Sequence, residues 1–269
     1  MQSESLAARS SNRLKQVRAL ALTCLVLIAS TIAWHQLFGA SKQTLEMREG
    51  ARYIAITFPG ETKPALNLVC FKADQFKMIV VNNPDPKKHL YIADMAKAAK
   101  AVAGCNGGYF DTKKFTPSGL GIAQGVSQGT FQSMGREGAL FGVRNGVPFI
   151  AAESEFKPSP EISDLVQCGP MLVDNGHLFQ EDSKASNART FVMTDGQGQW
   201  AIGNGAHFAL GELAALLAKP GLIEGFSVQR AMNLDGGPST GLWWQDSAGQ
   251  AHESRERWSV ANMILVVPK

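Results

Sequence analysis

Apolar and polar residues alternate in short runs along most of this chain. Tyr53–Phe58 (YIAITF), Ala65–Phe71 (ALNLVCF) and Phe76–Val81 (FKMIVV) each read as a strand, divided by Pro, Gly, Lys and Asp. Gln229–Leu234, Gly241–Trp244 and Asn262–Val267 supply strands toward the C-terminus. Two stretches repeat instead at helical spacing. In His89–Gly104, residues Leu90, Ile92, Met95, Ala96, Ala99 and Val102 share one face, with Gly104 as the expected C-cap. The second is FALGELAALLAKPG (Phe208–Gly221), ended by Lys219-Pro220-Gly221. Asn145-Gly146, Asp174-Asn175-Gly176 and Asp195-Gly196 read as tight turns. Asn82 to Pro86 forms a further turn cluster. The pattern predicts a mixed α/β fold, mainly β sheet with two principal helices. It forms a single globular domain over 51–269.

The first 50 residues follow another rule. Residues 1–18 carry Arg9, Arg13, Lys15 and Arg18 against Glu4, which accounts for the whole formal charge of +3. Ala19–Phe38 holds no formal charge, and about 20 apolar residues in a helix span a bilayer core. This reads as a membrane anchor with its N-terminus inside. The alternative is a cleaved signal peptide with Thr31 and Ala33 at its processing site. Either way the rest is exported, to the periplasmic side or beyond. Residues 39–50 form a polar stem. The neutral remainder gives no basic face for nucleic acid. With 45% apolar and 18% charged residues, the chain is neither disordered nor a coiled coil. Cys24 lies in the apolar run. Cys70, Cys105 and Cys168 lie beyond it, an odd number that allows at most one internal bridge, and no C-x-x-C occurs.

Four segments set polar side chains among glycines at the ends of apolar runs. They are Asn106 to Asp111 (NGGYFD), Cys168 to Gly176 (CGPMLVDNG), Asn187 to Thr190 (NART) and Asn233 to Gly241 (NLDGGPSTG). Glycine admits close backbone approach to a ligand, and such loops often carry function. Asn-Gly and Asp-Gly make turns as well, and spacing alone does not separate the two readings for Asn106-Gly107-Gly108 and Asp235-Gly236-Gly237.

These phrases, with PSGLGI after the first and AMNLDGGPSTGL as the last, occur in an order that resembles the phosphodiester glycosidase domain family. The resemblance covers roughly residues 50–269. Bacterial envelope proteins carry the same domain. It implies cleavage between an anomeric carbon and a phosphodiester oxygen. The leaving group is then a phosphate monoester, so full protonation by a general acid matters less than in ordinary glycoside hydrolysis. A cation or N–H donors must hold the phosphate, and a carboxylate must face the developing oxocarbenium centre. On this reading Asp235 is the nucleophile or base, Asp111 its partner, and Arg189 the phosphate clamp, since its planar fork binds two oxygens. The N–H groups of Gly107, Gly108, Gly236 and Gly237 form an anion nest. Asn106, Tyr109, Gly169, Thr190, Asn233, Ser239 and Thr240 complete the substrate site. No cofactor is required; a Ca²⁺ or Mg²⁺ at Asp235 or Asp111 is the alternative considered.

Two departures from the family pattern stand out. Pro238 occupies a place usual for a small residue, and Arg257 precedes Asn262 in a register shifted by about one residue. The partner expected is a sugar phosphate or envelope glycan. Oligomeric state is not legible. Three other readings compete. One is a non-catalytic glycan-binding or exopolysaccharide-assembly protein using the same cleft. Another is a serine hydrolase, because Gly237-Pro238-Ser239-Thr240-Gly241 matches G-x-S-x-G, with Asp246 and His252 following. The last is a metal-dependent phosphodiesterase, although the histidines are scattered.

Overall fold

A computed structural model describes residues 39–85, 88–134, 138–178 and 185–269. The basic stub and the apolar run therefore lie outside the described residues. Among those described, no helix is long and apolar enough to cross a membrane. The described residues divide into a small unit (39–41 with Thr57–Thr62) and a large one (Lys42–Ile56 with Lys63–Lys269). In the small unit, Glu61 donates its N–H to the Phe58 carbonyl to close a turn. The large unit is the folded domain.

The domain is mainly β, with two helices, α1 (Ile92–Ala98) and α2 (Leu210–Leu217). Its largest sheet has eight strands. From one edge they run Ser41–Glu46, Arg52–Thr57, Leu66–Lys72, Gln199–Phe208, Asn187–Thr194, Arg230–Asn233, Met171–Asp174 and His177–Leu178. A five-stranded sheet is built around Ala139–Arg144 and Ile162–Cys168. The third sheet, also five-stranded, orders Ala251–Ser254, Leu242–Gln245, Ala103–Asn106, Asn262–Pro268 and Phe76–Asn82.

The alternation in NMILVV explains how the third sheet is buried on both faces. Ile264 and Val266 join the main core with Phe71, Phe141, Val166 and Trp244. Met263 and Leu265 join a second cluster with Ile92, Ala96, Val260 and Trp243, which α1 covers. Period-two side chains can serve two cores at once only when each face has its own lid. Each such residue contributes about 1.5–3 kcal/mol by leaving water.

The expected strands and turns form with boundaries shifted by one or two residues. Asn145 and Asn175 both take the left-handed conformation ahead of Gly146 and Gly176, as two-residue hairpins require. Asp195 closes its turn by accepting the N–H groups of Gln197 and Gln199. The first helix is corrected. It stops at Ala98, Lys100 turns left-handed (φ 55°), and Gly104 lies in a strand and not at a helix cap. Val102 donates to the Val266 carbonyl at 2.8 Å, so the sheet claims the segment that local periodicity assigned to the helix. Cys70, Cys105 and Cys168 are buried free thiols.

Candidate active site

Asn106 organises the site. It ends the strand Ala103–Asn106 and is fully buried. Its Nδ2 donates to the Asp235 carbonyl at 2.8 Å. Its Oδ1 accepts from the Thr190 hydroxyl at 2.7 Å and from the Gly241 N–H at 3.1 Å. One side-chain amide thus joins segments that begin in two different sheets. Losing any of these bonds leaves a buried polar atom unpaired, at about 1–3 kcal/mol.

Asn233 plays the matching part on the eight-stranded sheet, opposite Phe191. Its Nδ2 donates to the Gly169 carbonyl at 2.9 Å and to the Leu234 carbonyl at 2.6 Å. The Tyr109 hydroxyl donates to the same Gly169 carbonyl at 2.6 Å. The three glycine-bearing segments of the four therefore meet at one carbonyl. Asn233 Oδ1 and Thr240 Oγ1 are buried without a hydrogen-bond partner among the described residues.

Asp235 sits between these two amides. Its N–H donates to the Gly107 carbonyl at 3.0 Å, and its Oδ1 accepts the Gly236 N–H at 2.9 Å. Burial raises its carboxyl above the ordinary 3.8, opposed by hydrogen bonds from Ser239 and Gly236. Burial also holds the Tyr109 phenol up, with the charges of Cys168 and Asp235 adding to it and Arg189 opposing. The Cys168 thiol is pushed up to about 12, chiefly by burial. A half-buried carboxyl displaced upward, close to a neutral phenol, has the character of an acid–base centre.

Arg189 is brought to the same place. Its Nε donates to the Phe208 carbonyl at 3.0 Å and one Nη to the Ala185 carbonyl at 2.8 Å. The other Nη has no partner among the described residues. A Cβ on Gly236 would stand 2.7 Å from the Ala188 carbonyl and 3.9 Å from Arg189 Cδ, so only glycine lets the Asp235 loop lie this close to the arginine.

The expected anion nest is not assembled. Gly107 donates its N–H to the Asn262 carbonyl at 2.9 Å, and Gly108 donates to Asn262 Oδ1 at 2.8 Å. The Gly236 N–H is committed to Asp235, which leaves only the Gly237 N–H without a partner among the described residues. These glycines serve by close approach instead: a Cβ on Gly107 would stand 1.9 Å from Asn262 Oδ1. Asp111 stands apart. It lies on the hairpin formed by Phe110–Asp111 and Thr116–Pro117, and its Oδ1 accepts the N–H groups of Lys113 at 2.8 Å and Lys114 at 3.0 Å. Those bonds, Lys114 first, hold its carboxyl below 3.8. No hydrogen bond or ion pair among the described residues links it to Asp235 or Arg189.

Ser239 is buried within the short 3₁₀ turn Gly237–Ser239, which leads into the strand Leu242–Gln245. A nucleophile elbow needs a helix after the serine. The other would-be triad members pair with each other, His252 Nε2 against Asp246 at 2.9 Å, with the imidazole stacked on Trp244. The serine-hydrolase reading therefore lacks its geometry. Among the described residues no group of three or more His, Cys, Asp or Glu is gathered for a metal.

Asn262, named in sequence only as the amide that leads the last strand in the family pattern, latches both glycines of the first motif. Glu256 escaped sequence reasoning. Glu256 is 4% exposed between two arginines in sequence, and its Oε1 accepts the Ile92 N–H at the start of α1 at 2.6 Å. Burial raises its carboxyl above 4.5.

The family model for phosphodiester glycosidase matches residues 99–267, which takes in every residue of this cleft. The chain belongs to the phosphodiester glycosidase family. A curated relative, the uncharacterized protein YigE of Escherichia coli (strain K12), is 33% identical over 95 residues, covering 33% of this chain and 37% of YigE. The matched part is thus little more than a third of that relative. The catalytic domain of zebrafish N-acetylglucosamine-1-phosphodiester alpha-N-acetylglucosaminidase, described as auto-inhibited by its pro-peptide, superimposes with a TM-score of 0.57. It is 17% identical, over 86% of this chain and 82% of that one, a likeness of fold. A hypothetical protein from Synechocystis gives a TM-score of 0.48 at 14% identity, over 86% of this chain and 62% of that one. Family membership supports a glycosidase-type function for this chain.

Proposed function

We propose that this chain is an exported hydrolase that cleaves the C1–O bond of a sugar-1-phosphodiester. Its setting would be envelope glycan or glycolipid metabolism. One observation carries the reading. The Asn106 amide binds the Asp235 carbonyl and the hydroxyl of Thr190, next to Arg189, while Asn233 and Tyr109 share the Gly169 carbonyl, and burial lifts the Asp235 carboxyl. Asp235 supplies the electron pair toward C1, either through a water whose proton it takes or directly, in which case a second step has water displace Asp235 from C1 and release the sugar. The bond electrons leave with the phosphodiester oxygen as a phosphate monoester. That departing charge falls to Arg189, whose guanidinium is oriented by two carbonyls and keeps one Nη for the anion. The substrate in the name of the zebrafish fold relative belongs to the same chemical class. Export rests on the basic stub and apolar run at the N-terminus.

The test is hydrolysis of a sugar-1-phosphodiester in ¹⁸O-labelled water. Cleavage at C1 places the label in the released sugar and none in the phosphate monoester. Label in the phosphate would mean P–O cleavage, and saturable binding without product would mean a glycan-binding protein; either overturns the reading.

A further inference from the structure

Beside the Asp235 cleft lies a cavity of about 340 Å³ that the proposed reaction does not use. Its aromatic walls are Tyr91, Phe110, Phe115 and Trp258, and Lys113 and Arg257 line it with no carboxylate among the lining residues. Phe110 and Phe115 pack edge to face with centroids 5.4 Å apart, and Arg255 covers one face of Tyr91 at 4.1 Å. These walls are thus fixed before any ligand arrives. Trp258 differs. It is 55% exposed, and its ring has no aromatic or cationic partner among the described residues. That exposure leaves a ring face of Trp258 open on the rim of a cationic hollow, where a flat apolar ligand face can stack on it.

The cavity is joined to the cleft through the backbone on both sides. Phe110 directly follows Tyr109. Arg257 and Trp258 donate their N–H groups to the Pro238 carbonyl at 2.8 and 3.1 Å, on the loop that carries Asp235. A ligand spanning the two places would lie across this loop. Flat aromatic faces suit the apolar face of a pyranose, and paired cations suit a carboxylate or phosphate on it. The volume falls in the range of small-ligand sites.

We infer that this cavity is a subsite for an acid-bearing sugar on the leaving-group side of the substrate. The inference rests on the proposed hydrolase reading and adds that the leaving phosphate ester is part of an anionic glycan. The first test is calorimetric titration of the full chain with tetragalacturonate, cellotetraose and inorganic phosphate, none of which can be hydrolysed at C1–O–P. Tetragalacturonate should bind about tenfold more tightly than cellotetraose. Trp258→Ala and Lys113→Ala should each weaken it about tenfold, and Trp258→Phe should restore most of the affinity. Equal binding by wild type and Trp258→Ala overturns the subsite. So does a preference for cellotetraose, or inorganic phosphate binding as tightly as the oligosaccharide. Recruitment to vesicles of anionic phospholipid with the same Trp258 dependence overturns it in favour of a lipid surface.

The second arm compares two sugar-1-phosphodiesters, one with a galacturonic acid leaving side and one with methyl. Trp258→Ala should raise KM about tenfold for the first and leave the methyl ester unchanged; equal effects on both sink the subsite. A wild-type chain that binds tetragalacturonate through Trp258 yet turns over neither ester would refute the hydrolase and not the cavity.

Discussion

Asp235 and Asp111 are two aspartates of one kind in sequence. Each ends or follows a short strand beside an aromatic or glycine-rich segment, and each was a natural choice for catalysis. The fold separates them. Asp235 is drawn inward by the Asn106 amide and the Gly107 carbonyl, and burial lifts its carboxyl. Asp111 stays on an exposed hairpin, where two backbone N–H groups stabilise its charge and hold its carboxyl down. A carboxyl that gives up hydration without full compensation is poised to react, whereas one satisfied by its own turn is poised to stay ionised. Residue type and neighbouring glycines do not make this distinction; solvent access and the donors around each oxygen do.

The largest expected effect follows directly. Asp235→Asn should lower kcat at least ~10²-fold on a sugar-1-phosphodiester, since it removes the base or nucleophile. Normal turnover by the folded variant would end the assignment. The wild-type rate should fall in acid as Asp235 gains a proton, with a midpoint above the ordinary 3.8. The linkage has a definite sign. Because the folded-state value is raised, this carboxyl favours folding below its unfolded pKa, and the contribution is lost as pH climbs through the folded value. Asp235→Asn should therefore raise Tm at neutral pH while abolishing activity, which differential scanning calorimetry would detect.

Arg189→Lys tests the other half of the cleft and should cost about tenfold in kcat/KM. An ammonium cannot donate to the Phe208 and Ala185 carbonyls in the fixed fork and still present a third N–H to phosphate. An unchanged rate for Arg189→Lys would reduce the arginine to a structural tether between the Asn187–Thr194 strand and its neighbours.

How far all this could be read from sequence follows from the range of each determinant. The alternation in Asn262–Val267, the Asn145-Gly146 and Asn175-Gly176 turns and the helix Leu210–Leu217 are local, and they formed as the pattern implied. The end of the first helix was not local. Val102 is held by Val266, far along the chain, and that partner overrode the periodicity up to Gly104. The same holds in the cleft. Asn106, Asn233 and Asp235 were legible as polar residues at glycine-rich strand ends. That Asn262 would occupy the Gly107 and Gly108 N–H groups, and so dismantle the expected anion nest, depended on a strand pairing no short window contains.

Asp111→Asn closes the comparison with the smallest effect. Its carboxylate bonds are made to Lys113 and Lys114 within its own turn, and an asparagine Oδ1 can accept the same two N–H groups. Turnover of the methyl phosphodiester should stay within about twofold of wild type. What the variant loses is charge. The lowered folded-state value means the aspartate contributes stability above its unfolded pKa and loses it as pH falls through the folded one. Asp111→Asn should therefore lower Tm at neutral pH, opposite in sign to Asp235→Asn, and both differences should shrink in acid as the wild-type carboxyls are protonated. Were Asp111→Asn instead to cost as much activity as Asp235→Asn, the two aspartates would have to work as a pair. The hairpin would then need to swing its carboxylate off Lys113 and Lys114 toward the sugar.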